Sequence, residues 1–257
     1  MKKFLEKIGL LKKPNYEKFT SRRRDELSLK VDALFKSTIS YGLFSGLQLS
    51  LVSKWSKSDR GAMILGLYEK EVLDLIGSQG AVDLFINIGA ADGYYAAGVL
   101  YAGIATRVIA YEIDVEAHDS IKDISRLNNV SERLEIRGGF NKEEARELTK
   151  NLNTNSLILM DIEGAEFEIL SGDILESLSH CHIIIETHEF IEGGEKKLSD
   201  LIQRVEKFFN VVRIFSGARD LSNIDEVSNW PDNDRWLLCS EGRPCLMSWL
   251  YLTPKRH

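Results

Sequence analysis

The chain has 257 residues, 28% of them charged, with a formal net charge of −6 and a pI near 5.5. That length sustains one large α/β domain with a sizeable core and leaves little room for a second. The acidic balance, with no basic face dominating the body, excludes nucleic acid as an expected partner.

The amino-terminal segment departs from this average. Residues 1–30 carry ten Lys or Arg against four Asp or Glu. Phe4, Leu5, Ile8 and Leu11 fall at helical spacing there, an apolar stripe suited to weak contact with a membrane surface or a partner protein. A solvated extension is the plainer expectation. Glu6 and Lys7 interrupt the apolar stretch, so it does not read as a secretory signal. Elsewhere no uncharged apolar run spans a bilayer, the nearest, Leu84 to Tyr111, being broken by Asp92, Arg107 and several glycines.

Between Pro14 and Pro231 no proline interrupts the chain, and strand and helix patterns alternate. Phe85-Ile86-Asn87-Ile88 reads as a buried strand entering a turn with Gly89 and Gly93, followed by a helix from Tyr95 to Leu100. Glycines there permit positive φ and close approach of a ligand to bare backbone, and the helix amides favour electron-rich groups. The turn lacks G-x-G-x-x-G, having Asn87 at the first glycine position, which argues against a nicotinamide or flavin dinucleotide.

Thr106 to Tyr111 is a second strand with Glu112 at its carboxyl end, where a carboxylate accepts both hydroxyls of a ribose. A helix from Val115 to Leu127, a strand from Arg133 to Arg137 and a charged helix from Lys142 to Leu152 follow. Ser156 to Met160 and His182 to Glu186 are further strands. Leu198 to Phe209 is helical, Val211 to Phe215 a strand, Ser216 to Asp234 a long loop, and Leu246 to Leu252 a last, antiparallel strand at or near the edge. Such alternation predicts a mostly parallel sheet with helices on both faces and ligands beyond the carboxyl ends of its strands.

Three acidic or imidazole side chains at that edge are catalytic candidates: Asp161 and Glu163, directly after the fourth strand, and His188, after the fifth. Glu166 and Glu168 read as ordinary acids in the first turn of the next helix. His188 can take a proton from a hydroxyl, with Glu186 or Asp161 orienting it. A divalent ion held by Asp161, Glu163, Glu186 and His188 ranks below this metal-free base. Trp230, Arg235, Trp236, Arg243 and Trp249 are candidates for a sugar-binding pocket or for packing. Cys181, Cys239 and Cys245 have no metal-ligand spacing and read as reduced thiols in a cytoplasmic protein.

Asn87-Ile88-Gly89-Ala90-Ala91-Asp92-Gly93-Tyr94-Tyr95, Tyr111-Glu112-Ile113-Asp114 and, above all, Met160-Asp161-Ile162-Glu163-Gly164-Ala165-Glu166 resemble the FkbM-type methyltransferases. Tyr41 to Gly46 and Leu65 to Glu69 are similar to the segment that precedes the core in that family. The resemblance implies a Rossmann-like class I methyltransferase fold using S-adenosylmethionine to methylate a hydroxyl of a sugar, glycan or secondary metabolite, as in polysaccharide biosynthesis. By motif position Asn87, Gly89, Ala90, Asp92, Gly93, Tyr94 and Tyr95 would surround the methionine part, with Asp161 beside it. Glu112 would take the ribose and Phe140-Asn141 the adenine, and Tyr68 and Glu69 would close over the cofactor. Many members carry an acid where this chain has Asn87. The expected layout is an N-terminal basic, helical extension over 1–60 and a methyltransferase domain over 61–257. A non-catalytic protein of the same fold, binding cofactor or glycan, is the alternative.

Overall fold

The computed structural model describes residues 16–52, 57–150, 152, 153, 155–243 and 245–255. The stripe of Phe4, Leu5, Ile8 and Leu11 lies outside the described residues. Seven strands form one sheet: β1 (Val82–Ile88), β2 (Ala105–Tyr111), β3 (Leu134–Arg137), β4 (Ser156–Met160), β5 (His182–Thr187), β6 (Phe209–Phe215) and β7 (Ser248–Pro254). Their spatial order is β3-β2-β1-β4-β5-β7-β6. The pairings among β1 to β5 are parallel, whereas β7 runs antiparallel to both β5 and β6.

The helices are α1 (Tyr16–Phe35), α2 (Arg60–Ile64), α3 (Lys70–Ser78), α4 (Tyr94–Tyr101), α5 (Ala117–Leu127), α6 (Lys142–Thr149), α7 (Glu166–Ile169), α8 (Gly172–Ser177), α9 (Gly194–Val205) and α10 (Asp232–Leu238). Side chains alternate across a strand, so the central strands must be apolar on both faces if both are covered. Phe85, Val108, Leu157, Leu159 and Ile184 share one buried cluster with Leu27 and Val31 of α1, Val72 and Ile76 of α3, and Val99 of α4. Ile86, Ile109, Ile158, Met160 and Ile183 share the other with Leu148 of α6, Ile174 of α8 and Leu201 of α9. The sheet is thus mostly parallel, covered on both faces, and preceded by an amino-terminal helix, as the Rossmann-like class I methyltransferase expectation described.

Several predicted boundaries move. The helix expected over Leu198 to Phe209 runs Gly194–Val205, because Phe209 is already a fully buried residue of β6. The last strand starts at Ser248 and lies inside the sheet, leaving β6 as the edge. The helix expected from Val115 starts at Ala117, and the one expected to reach Leu152 ends at Thr149. The long loop after β6 holds a 3-10 turn at Asp225–Val227 and passes into α10 at Asp232.

From β1 the chain moves outward through β2 to β3 and then returns to place β4 on the other side of β1. A crevice opens at such a reversal, beyond the carboxyl ends of β1 and β4. β6 lies parallel to β5, since both oppose β7, so the segment joining β6 to β7 covers the same edge.

Candidate active site

The turn after β1 is fixed by the neighbouring strands. Gly89 and Ala90 both donate their amides to the Tyr111 carbonyl at 2.9 Å. Gly89 has φ +84°, and a Cβ there would lie 1.7 Å from the Asp161 carbonyl oxygen, so β1 and β4 approach this closely only over a glycine. Gly93 has φ +85°, and its missing side chain makes room for Ile121 and Ile124 of α5. The bare backbone expected to face a ligand is therefore occupied at both glycines by the protein's own atoms, and the amides of Gly89, Ala90, Ala91 and Gly93 all donate within the protein.

The turn is held to β2 by Glu112. Its buried carboxylate accepts hydrogen bonds from the amides of Ala91 at 2.7 Å and Asp114 at 2.8 Å, tying the end of β2 to the turn. A cavity of about 290 Å³ lies alongside, lined by Gly89, Ala91, Glu112, Phe140, Asp161 and Glu163 among others. This is near the lower end of small-molecule pockets, roughly 300–1,000 Å³. Phe140 stands edge-on to Tyr111, ring centroids 4.8 Å apart, so an aromatic wall faces the carboxylate. Asn141 instead caps α6, its side chain accepting from the Glu144 amide at 2.9 Å.

The remaining expected cofactor residues lie away from this cavity. Asn87 is 1% exposed, donates Nδ2 to the Gly89 carbonyl at 3.4 Å, and leaves Oδ1 without a partner. Tyr68, Tyr94 and Tyr95 form edge-to-face contacts, with the Tyr94 hydroxyl unpartnered. Asp92 is buried in the turn itself. Tyr95 donates to Glu69 Oε2 at 2.6 Å, and Glu69 accepts from Arg243 at 2.8 Å. Burial, then the nearby Glu186 charge, pushes the Glu69 carboxyl up to about 8.

The catalytic candidates converge. His188 is 2% exposed, with its Nδ1 3.0 Å from Glu166 Oε1 and its Nε2 3.4 Å from Asp161, 3.5 Å from Glu163 and 3.7 Å from Glu186. Glu166 is fully buried and also accepts from the amides of Gly164 at 2.8 Å and His188 at 3.3 Å. Glu166 does stand in the first turn of α7, as read, but its carboxylate also hydrogen-bonds the imidazole, the orienting contact that the sequence reading gave to Glu186 or Asp161. Only its place in the Met160 to Glu166 motif distinguished it from Glu168. Burial draws the His188 ring down, but the Glu166 hydrogen bond and charge, then Glu186 and Glu163, outweigh it and raise it above its ordinary 6.5.

Asp161 and Glu186 lie close together, and burial followed by the Glu186 charge holds the Asp161 carboxyl well above the usual carboxylate range. Its Oδ1 has no hydrogen-bond partner. Arg243 meets Glu186 with Nη1, Glu69 with Nη2 and Glu241 with Nε, so Glu186 is paired with a guanidinium of the β6–β7 segment. One ligand atom each from Asp161, Glu186 and His188 lies within 4.8 Å of the others, a spacing that could hold a cation; Glu163 is not part of that set. Ala91, Glu163 and Glu69 adopt φ of +46°, +54° and +43°. Left-handed non-glycine backbone costs about 1–3 kcal/mol per residue and concentrates where function fixes the chain.

Residues 143–215 match the family model of the methyltransferase FkbM domain. The FkbM match runs from α6 to β6 and contains Asp161, Glu163, Glu166, Glu186 and His188, so the resemblance carried by the fourth-strand motif is borne out there. No curated protein matches the chain in sequence. Among solved structures it is similar to the O-methyltransferase from Bacillus cereus in complex with SAH, at 14% identity over 98% of this chain and 96% of that one, TM-score 0.48. It is also similar to cofactor-bound Rv0187 from MTB, at 13% identity over 75% and 83%, TM-score 0.49. A third is the Methanococcus jannaschii fibrillarin pre-rRNA processing protein, at 12% identity over 69% of each chain, TM-score 0.42.

Proposed function

We propose that this chain is an S-adenosylmethionine-dependent O-methyltransferase acting on a hydroxyl of a sugar, glycan or secondary metabolite. The observation that carries the reading is that Asp161 and Glu163 belong to two places at once. They line the cavity that Glu112 and Phe140 also line, and they face Nε2 of His188. A nucleoside gripped by Glu112 and walled by Phe140 would direct its far end toward the imidazole.

The residues fit that cofactor. Glu112 offers carboxylate oxygens to a ribose from the wall of the cavity that Phe140, Asp161 and Glu163 also line. When bound, the cofactor supplies a sulfonium methyl group, which a hydroxyl oxygen attacks as the carbon–sulfur bond breaks. An unactivated alcohol is a poor nucleophile at neutral pH, so its proton must be received as the new bond forms. His188 Nε2 is that base. Glu166 fixes the ring and stabilises the imidazolium, and Asp161 orients the hydroxyl.

A divalent ion on Asp161, Glu186 and His188 is the competing reading of the same cluster. Arg243 already neutralises Glu186, which favours the metal-free base. Chelation that leaves turnover intact supports it, and loss of turnover restored by a divalent ion overturns it. Calorimetry with S-adenosylmethionine tests the cofactor step: wild type binds, and Glu112→Ala weakens binding at least tenfold, about 1.4 kcal/mol. The acidic charge supports a small-molecule or glycan acceptor over nucleic acid. Among the described residues no helix is long and apolar enough to cross a membrane, and the free cysteines support a cytoplasmic setting.

A further inference from the structure

A second and larger cavity, of about 790 Å³, lies on the segment that joins β6 to β7. Topology places it at the carboxyl edge of the sheet, and Arg243 connects it to the chemistry, lining the cavity while pairing with Glu186 beside His188. Its wall combines apolar and polar groups. Trp236 of α10 lines it with 72% of its surface exposed, and Leu246 with 62%. Of the other aromatic candidates, Trp249 is 1% exposed and packs in the core, and Trp230 packs against the core with Lys30 over its ring.

The charges in the wall decide what it can hold. Arg219 is spent on Glu71 at 2.5 Å and Glu241 at 2.6 Å. Arg243 is spent on Glu69, Glu186 and Glu241. Arg235 meets Asp232 at 3.3 Å. A phosphate or carboxylate entering here would find Arg219 and Arg243 already engaged by carboxylates and would meet Asp220 and Glu241 as well, with the Arg235 Nε lacking a partner among the guanidinium groups of the wall. Paired planar acids and guanidinium groups beside an uncovered indole match a different ligand. A polyhydroxylated ring offers hydroxyls to the polar groups and an apolar C–H face to the aromatic one.

We propose that this cavity is the acceptor subsite of the proposed methyltransferase and that it takes an uncharged carbohydrate, one ring lying on Trp236, in preference to a nucleotide sugar or a phosphorylated sugar. The inference rests on the transferase reading. The cavity is large enough for more than one ring, so binding at Trp236 would anchor the acceptor away from the reacting hydroxyl.

The test uses the full chain on an array of immobilised neutral oligosaccharides with matched sialylated and phosphorylated ones, for wild type, Trp236→Ala and Trp236→Phe. The expected result is saturable retention on neutral glycans, at least tenfold weaker in Trp236→Ala and partly rescued in Trp236→Phe. Retention confined to acidic glycans, release from neutral ones by a nucleotide sugar, equal binding by Trp236→Ala, or no retention would each overturn the proposal. S-adenosylmethionine calorimetry on the same preparations separates this failure from failure of the transferase reading, because Trp236 does not line the Glu112 cavity and its replacement should leave cofactor affinity unchanged.

Discussion

The Glu166 carboxylate, fully buried, is stabilised by two backbone amides and the His188 ring. That contact fixes the orientation of the His188 ring, which the proposed mechanism uses as its base. His188→Ala should retain cofactor binding and lower turnover by roughly 10²–10⁴, the usual contribution of a positioned acid–base group, measured as labelled-methyl transfer to a hydroxyl acceptor. Unchanged turnover would remove His188 from the mechanism. Because His188 is raised above 6.5, the neutral base accumulates only above that pH, and rate should climb with pH through the raised value. Glu166→Gln removes a charge that favours the imidazolium, so the rising limb of the pH–rate profile should move toward lower pH while the maximal rate falls. A limb that stays in place would show that Glu166 does not act through the ring.

At the scale of elements, the strand ends carried most of the information. The last four residues of β1 and β2 and all of β4 are buried, and a polar residue stands at or just after each of these strand ends: Asn87 near the end of β1, Glu112 after β2, Asp161 after β4. Those groups were legible because strand and turn chemistry are local. The mutual contacts of Arg219, Glu241, Arg243 and Glu69 were not, since these pairs join residues far apart in sequence and depend on β7 inserting between β5 and β6. The glycines were legible as turn formers, but not as the seam between β1 and β4. Gly89→Ala puts a methyl group onto the Asp161 carbonyl and an L-residue at φ +84°. It should destabilise by about 2 kcal/mol or more in urea unfolding; a loss below about 0.5 kcal/mol would show that the seam can relax.

Across the whole molecule, one buried charge network joins the segment before α3, the end of β5 and the β6–β7 segment through Glu69, Glu186, Glu241 and Arg243. Removing one partner of such a group strands the others, so Arg243→Ala should cost about 3–5 kcal/mol in denaturant unfolding. Its loss would be felt at the His188 cluster and at the larger cavity, because the same guanidinium pairs with Glu186 and lines that cavity. The network also sets a pH dependence. Glu69 is raised from 4.5 to about 8, so its contribution is fully present below 4.5 and is lost as pH rises toward 8. Thermal stability of wild type should therefore decline over that interval relative to Glu69→Gln, and parallel curves would refute the assignment.

The proposed function depends on Asp161 and Glu163 lining the Glu112 cavity while facing the imidazole that Glu166 holds. The most direct measurement is calorimetric titration of the full chain with S-adenosylmethionine, repeated on Glu112→Ala and His188→Ala. Saturable binding by wild type and His188→Ala, with at least a tenfold loss in Glu112→Ala, is the predicted result. Absence of binding by folded wild type, or equal affinity in Glu112→Ala, would contradict the account.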